Sequence, residues 1–179
     1  MWGDLEGHPF LVSSSQVKGG EKVLFPISFL FSGSLKFPAQ ADGILHHYKD
    51  LPRLSHLSST ESSSGARKIQ LEIDLGSVSE IWGVVLNITG PLGNWSFADN
   101  ALPAPERING GPPSYICRLT GRSDENWAFW LEASSSETLR VDLAVLDQYL
   151  LDDTKRLKGL FPNWVDVIAS SAFLSSYYL

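Results

Sequence analysis

Lys68-Ile69-Gln70-Leu71-Glu72-Ile73-Asp74-Leu75 alternates polar and apolar residues without a break. In an extended chain successive side chains point to opposite faces. Ile69, Leu71, Ile73 and Leu75 therefore share one face, and the four polar residues share the other. A helix would scatter the same residues around its circumference, so the stretch reads as a half-buried strand. Gly76-Ser77 punctuates its end. Ile81–Thr89 reads as a second strand, with Trp82, Val84, Leu86 and Ile88 on one face and Asn87 on the opposite one.

Further along, Gly90 to Pro113 is rich in Gly, Pro and Asn and is expected to be a long loop. Tyr115–Thr120 and Trp127–Glu132 read as two more strands, joined through Gly121–Asn126. Leu139, Val141, Leu143 and Val145 alternate with Arg140, Asp142, Ala144 and Leu146 in another. Asp152–Lys158 has acid at its start, base in its last turn and Gly159 after it, the signature of a short helix matched to its dipole. Trp164–Ala169 is expected as a last strand. Upstream, Val23–Leu35 reads as a strand that Pro26 confines to an edge or a strand start. Residues 55–66, SHLSSTESSSGA, read as a serine-rich loop or linker with too little apolar area to offset its ordering entropy.

Short alternating strands with Gly, Pro and Ser turns and almost no helix predict an all-β, antiparallel β-sandwich with a short helix near 152–158. The expected organisation is an unassigned segment over 1–22, a β-rich segment over 23–54, the linker over 55–66 and the sandwich over 67–179.

At 179 residues the chain can bury a core without staples, and 43% hydrophobic with 19% charged residues is a globular composition. The net charge of −6 and the lack of a basic run remove the counterion-release term on which nucleic-acid binding depends. A single cysteine, Cys117, excludes an intramolecular disulfide framework and a multi-cysteine zinc site. The longest strongly apolar run, Val23 to Phe31, contains Pro26 and is far shorter than the ~20 residues of a membrane helix. Met1-Trp2-Gly3-Asp4-Leu5-Glu6 carries acid where a signal peptide carries base, so export is expected to need another route.

Each chemistry-bearing group has a plain structural reading beside it. His46-His47, with Asp50 and His56 near, suit a metal by ligand type, yet adjacent strand residues point to opposite faces and the spacing fits no metal motif. No Gly-x-Ser-x-Gly elbow and no phosphate-cradling glycine loop is present. Cys117 shares strand parity with Tyr115 and Leu119 and reads as a small core hydrophobe. Asn87-Ile88-Thr89 and Asn94-Trp95-Ser96 are glycosylation sequons. With 6 Asn and 29 Ser or Thr, about one sequon is expected by chance, so position has to carry the reading. Asn87 falls opposite the core face and Asn94 lies in a polar loop, so both are expected to accept a glycan. Trp127 and Trp130 differ in parity, which sets one toward the core and the other outward.

Three stretches carry a resemblance: LEIDLGSVSEIWGVVLNITGPLGNWSFADN from Leu71, GGPPSYICRLTGRSDENWAFWLEASSSETLRVDLAVLDQYLLDD from Gly110, and KRLKGLFPNWVDVIASSAFLSSYYL from Lys155. Together they resemble the C-terminal domain of the endoplasmic reticulum metallopeptidase family, most closely its plant members, over roughly the last 110 residues. The resemblance implies a parent whose N-terminal zinc-dependent exopeptidase domain is followed by membrane helices and then by a lumenal β-rich domain. It places the zinc ligands and the catalytic Glu in that other domain, so no catalytic, cofactor-binding or metal residue is assigned here. The expected partners are the peptidase and membrane portions of the parent, and the expected location is the endoplasmic reticulum lumen. If the 179 residues are the whole product, the cytosol is expected instead. Asn126-Trp127-Ala128 lacks the hydroxyl residue of a third sequon. The resulting expectation is a noncatalytic accessory domain. The alternative is a stand-alone glycan- or peptide-binding β-sandwich with Trp95, Trp127 or Trp130 as its stacking platform.

Overall fold

The computed structural model describes residues 46–62, 65–107, 111–120 and 126–179. Its strands are β1 (Arg53–Glu61), β2 (Arg67–Asp74), β3 (Ile81–Thr89), β4 (Leu92–Trp95), β5 (Ser114–Leu119), β6 (Trp127–Ala133), β7 (Arg140–Asp147) and β8 (Ser171–Tyr178). One helix, α1 (Asp152–Lys158), joins the last two strands. The strands form two four-stranded sheets, β1-β2-β6-β4 and β5-β3-β7-β8. Every pairing is antiparallel. The expected all-β sandwich with a short helix at 152–158 is therefore observed.

The core forms where the two apolar faces meet. β2 contributes Ile69, Leu71 and Ile73, and its neighbour β6 sets Leu131 opposite Ile69 and Phe129 opposite Leu71. In the second sheet Leu86 lies between Cys117 and Leu143, and Ile88 between Tyr115 and Val141. All of these belong to one buried cluster. A fully buried side chain of this size stabilises by about 1.5–3 kcal/mol relative to exposure. The alternation read in the sequence thus becomes the interior of the sandwich.

On its other side the second sheet is buried at its central strands, whereas Arg118 of β5 and Leu174 and Ser176 of β8 are exposed. Val85, Ala144 and Leu146 form a separate buried cluster on the outer face, with Ile116 packed against it. β7 consequently has no solvent-exposed face, whereas the first sheet turns Lys68 and Gln70 to water.

Tyr48 ties the chain ahead of β1 to the end of β7. Its hydroxyl donates to Asp147 Oδ2 at 2.8 Å, and both residues are buried. The Tyr48 ring meets Phe173 of β8 edge to face, with centroids 4.8 Å apart. Leu54 N donates to Tyr177 Oη at 3.0 Å, fastening β1 to β8 across the two sheets.

Several expectations are corrected. The loop expected over 55–66 is corrected at 55–61, which lie in β1, paired with β2 from Arg53↔Asp74 to Glu61↔Arg67. β1 is an edge strand held by backbone pairing, with Leu54 its one buried residue, so it needs little apolar area. A boundary at residue 67 would cut this hairpin. The loop expected from Gly90 contains β4, four residues long and too short to show a period. Trp82 leaves the core face because the β3–β7 register shifts between Ile81 and Gly83, and Ile81 packs inward instead. Trp164–Ala169 is not a strand. The last strand is β8, whose Phe173 and Tyr177 face the core cluster. The strand expected over Val23–Leu35 and the segment 1–22 lie outside the described residues.

Candidate functional site

β3 places Asn87 between Ile116 of β5 and Asp142 of β7, on the buried outer face of its sheet. Asn87 Nδ2 donates to Asp142 Oδ2 at 3.4 Å, and Asn87 Oδ1 accepts from Ser114 Oγ. Asp142 Oδ1 in turn accepts from Ser176 Oγ at 2.6 Å and from Arg140 Nε at 2.9 Å. Burial obliges these polar groups to find partners, and each of them does so within the sheet. Asn87 is only 6% exposed. The parity assigned to it from the sequence is observed, but on that outer face its side chain is buried in contacts to Ser114 and Asp142 on the two neighbouring strands.

Asn94 sits on β4, an edge strand. Its Oδ1 accepts from Trp95 N at 2.9 Å, while Nδ2 makes no hydrogen bond among the described residues. Of the two sequon asparagines, Asn94 is the partly exposed one and Asn87 is buried.

The groups that suggested metal binding do not converge. His47 is stacked on Tyr149 with centroids 3.5 Å apart and rings nearly parallel. His56 lies exposed on β1. Among the described residues no three His, Cys, Asp or Glu side chains come together to hold a metal ion. A zinc ion of the kind implied by the resemblance does not fit these residues. Cys117 lies buried in β5, and burial pushes its thiol up to about 11, far from the range of a reactive thiolate.

The three tryptophans proposed as sugar platforms separate in the structure. Trp95 is 3% exposed, with Nε1 donating to Ala101 O at 3.0 Å and Phe97 against its ring, so it is a core residue and no platform. Trp130 faces outward, as its parity requires, but Lys68 Nζ stands 4.0 Å over its ring centroid. Trp127 packs against the core and, with Phe97, Leu119, Thr120, Ala128 and Phe129, lines a shallow depression of about 180 Å³.

Two features escaped sequence reading. The Tyr48–Asp147 pair joins residues 99 apart, which no local pattern reveals. Leu160, Trp164 and Ile168 are exposed on the connection after α1. Trp164 and Ile168 fall within the stretch expected as a last strand, and their placement in space shows them exposed instead.

Comparison with curated proteins and with solved structures found no match to the chain. Residues 12–177 match the family model described as endoplasmic reticulum metallopeptidase 1, C-terminal domain.

Proposed function

The chain belongs to the endoplasmic reticulum metallopeptidase 1 C-terminal domain family, and from that premise we propose that it is a noncatalytic accessory domain of a membrane-bound zinc exopeptidase. It works on the lumenal side of the endoplasmic reticulum, packed on the peptidase or membrane portion of its parent. The observation that carries this reading is how the chemically capable side chains are used. Asp142, Asp147 and Asn87 are buried and hydrogen-bonded to distant parts of the chain, Cys117 is buried in the core, and among the described residues the histidines join no metal-holding cluster. Zinc, in this reading, belongs to the peptidase domain of the parent. The match from residue 12 supports treating 12–177 as one unit, with β1 inside it. Asn94 carries the glycan and Asn87 does not.

The test is an aminopeptidase and carboxypeptidase assay on the purified chain, with and without added zinc. Turnover at background supports the accessory role; metal-dependent turnover abolished by a chelator overturns it. The alternative of a glycan-binding module retains one structural support, the aromatic depression at Trp127. A shift of intrinsic fluorescence on titration with oligosaccharide, lost in Trp127→Ala, would favour it.

A further inference from the structure

Val85, Ala144 and Leu146 are 4%, 3% and 5% exposed, yet they lie on the face of their sheet that points away from the sandwich core. Their neighbours within the sheet do not hide them. Leu146 stands between Gly83, which has no side chain, and Ala172, which has one methyl group. Ala144 stands between Val85 and Leu174, and Leu174 is itself 38% exposed. Among the described residues Ile116 is the hydrophobic side chain packed against the three. A leucine flanked by so little bulk is shielded only by a layer lying over the sheet.

The outline of the buried area limits what that layer is. Burial runs along the central strands β3 and β7, while Arg118 on β5 and Leu174 and Ser176 on β8, the two outer strands, are exposed. Strands are spaced about 4.8 Å apart, so the covered strip is about 10 Å wide, the width of one extended chain with its side chains. A folded partner domain would cover the outer strands too.

The chain ahead of His46, outside the described residues, supplies a segment of the right chemistry. Val23, Phe25, Ile27, Phe29 and Phe31 are apolar at every second position, with Ser28 and Ser32 among the residues between them. In an extended chain these five share one face. Pro26 has no N–H to give to a ladder, which suits a segment lying across a face better than one paired inside a sheet. The route is short as well. Tyr48 Oη donates to Asp147, the residue after Leu146, and His47 stacks on Tyr149. The chain therefore reaches His46 beside the Leu146 end of the strip. Ten residues, 36–45, separate Leu35 from His46 and span up to about 33 Å, against about 10 Å from a sheet to the layer over it. The family match extends back to residue 12, which includes this segment in the domain.

We propose that Val23–Leu35 lies along the outer face of the second sheet and covers Val85, Ala144 and Leu146 with its alternating apolar side chains. The face is thereby closed by the chain itself and withdrawn from the parent and from other copies.

The experiment uses the full chain with Cys117→Ala, so that a single thiol can be placed. Ala144→Cys in that background is expected to resist a thiol reagent at pH 8 while the protein is folded. Replacing Phe25, Ile27 and Phe29 together by Ser is expected to raise its rate of modification about tenfold or more, since exposure then no longer requires a covering segment to open. Near-ultraviolet circular dichroism should show the triple variant folded. If it is not, benzoylphenylalanine at position 29 of the otherwise unchanged chain gives the same answer, cross-linking on illumination to Val85, Ile116, Ala144 or Leu146 of the same molecule. An Ala144→Cys thiol that reacts at once in the folded protein overturns the proposal, as does protection that the triple variant leaves unchanged. Cross-links to the first sheet overturn it too, and cross-links between molecules would make the cover a second copy. Neither readout involves the peptidase, so failure here leaves the accessory role standing.

Discussion

Replacing Tyr48 by Phe removes one oxygen and leaves the ring contacts with Phe173 and His47 in place. Among the described residues Asp147 then keeps only the amide of Tyr149, at 3.3 Å, for a carboxylate fully withdrawn from water. A hydrogen bond to a charged acceptor contributes about 1.5–3 kcal/mol, and stranding the acceptor adds its desolvation cost. A loss of about 2 kcal/mol is expected, and for a domain of this size it lowers Tm by roughly 4–8 °C. The pH dependence supplies a second readout. Burial, followed by the hydrogen bond to and the charge of Asp147, holds the Tyr48 proton to pH values well above the ordinary tyrosine range. A group whose folded pKa is raised contributes stability that is whole below its unfolded pKa, near 10, and is lost as the pH climbs above it. Wild-type protein should therefore lose stability above about pH 10, and Tyr48→Phe should lose less of it over the same range. Thermal melts followed by near-ultraviolet circular dichroism at pH 7 and at alkaline pH measure both effects. Together with Asp147→Asn and the double variant, they give the coupling energy. A Tyr48→Phe melt at pH 7 within about 1 °C of wild type would refute the assignment, as would additivity in the cycle.

Gly76 has a φ of +60°, and an added Cβ would strike Asp50 O and stand 2.8 Å from Asp50 C. Gly76→Ala is expected to cost about 2–3 kcal/mol in a urea titration, from left-handed strain and displacement of residues 50–51. Asn94→Gln should abolish the endoglycosidase-sensitive mass of folded protein expressed through the secretory route. Asn87→Gln should leave that mass intact but destabilise by about 1–3 kcal/mol, through loss of the buried contacts to Asp142 and Ser114. Cys117 should resist a thiol reagent at pH 8 in the native protein and react at once in denaturant, as burial of the thiol requires.

What could be read ahead depended on which physical signal each element carries. β2 and β7 face a large apolar surface, so burial imprints a period of two on their sequences, and that period was legible. β1 and β4 are sheet edges, fixed by hydrogen bonds that any backbone can make, and they leave no such imprint. Between WVDVIA and SAFLSSYY, local pattern favours the first as a strand. Tertiary contacts choose the second, since Tyr177 reaches Leu54 N and Phe173 reaches Tyr48. Asn87 shows the limit of alternation: it reports the side of a strand, while exposure depends on what lies over that side. Asp142 and Asp147 are buried anchors only by virtue of partners distant in sequence, which no local pattern reveals.

The staple from Leu54 to Tyr177 closes a separation of 123 residues. Folding dominated by such distant pairings is slow, on the order of milliseconds to seconds even for a finished chain. During synthesis the delay is longer. Asp142 lies 55 residues beyond Asn87, and at roughly 5–20 residues per second that stretch takes several seconds to emerge. Through that interval the Asn87 amide has neither Ser114 nor Asp142 to hold it, and its sequon is open to the glycosylating enzyme. A sugar attached then would keep the outer face of the second sheet from closing.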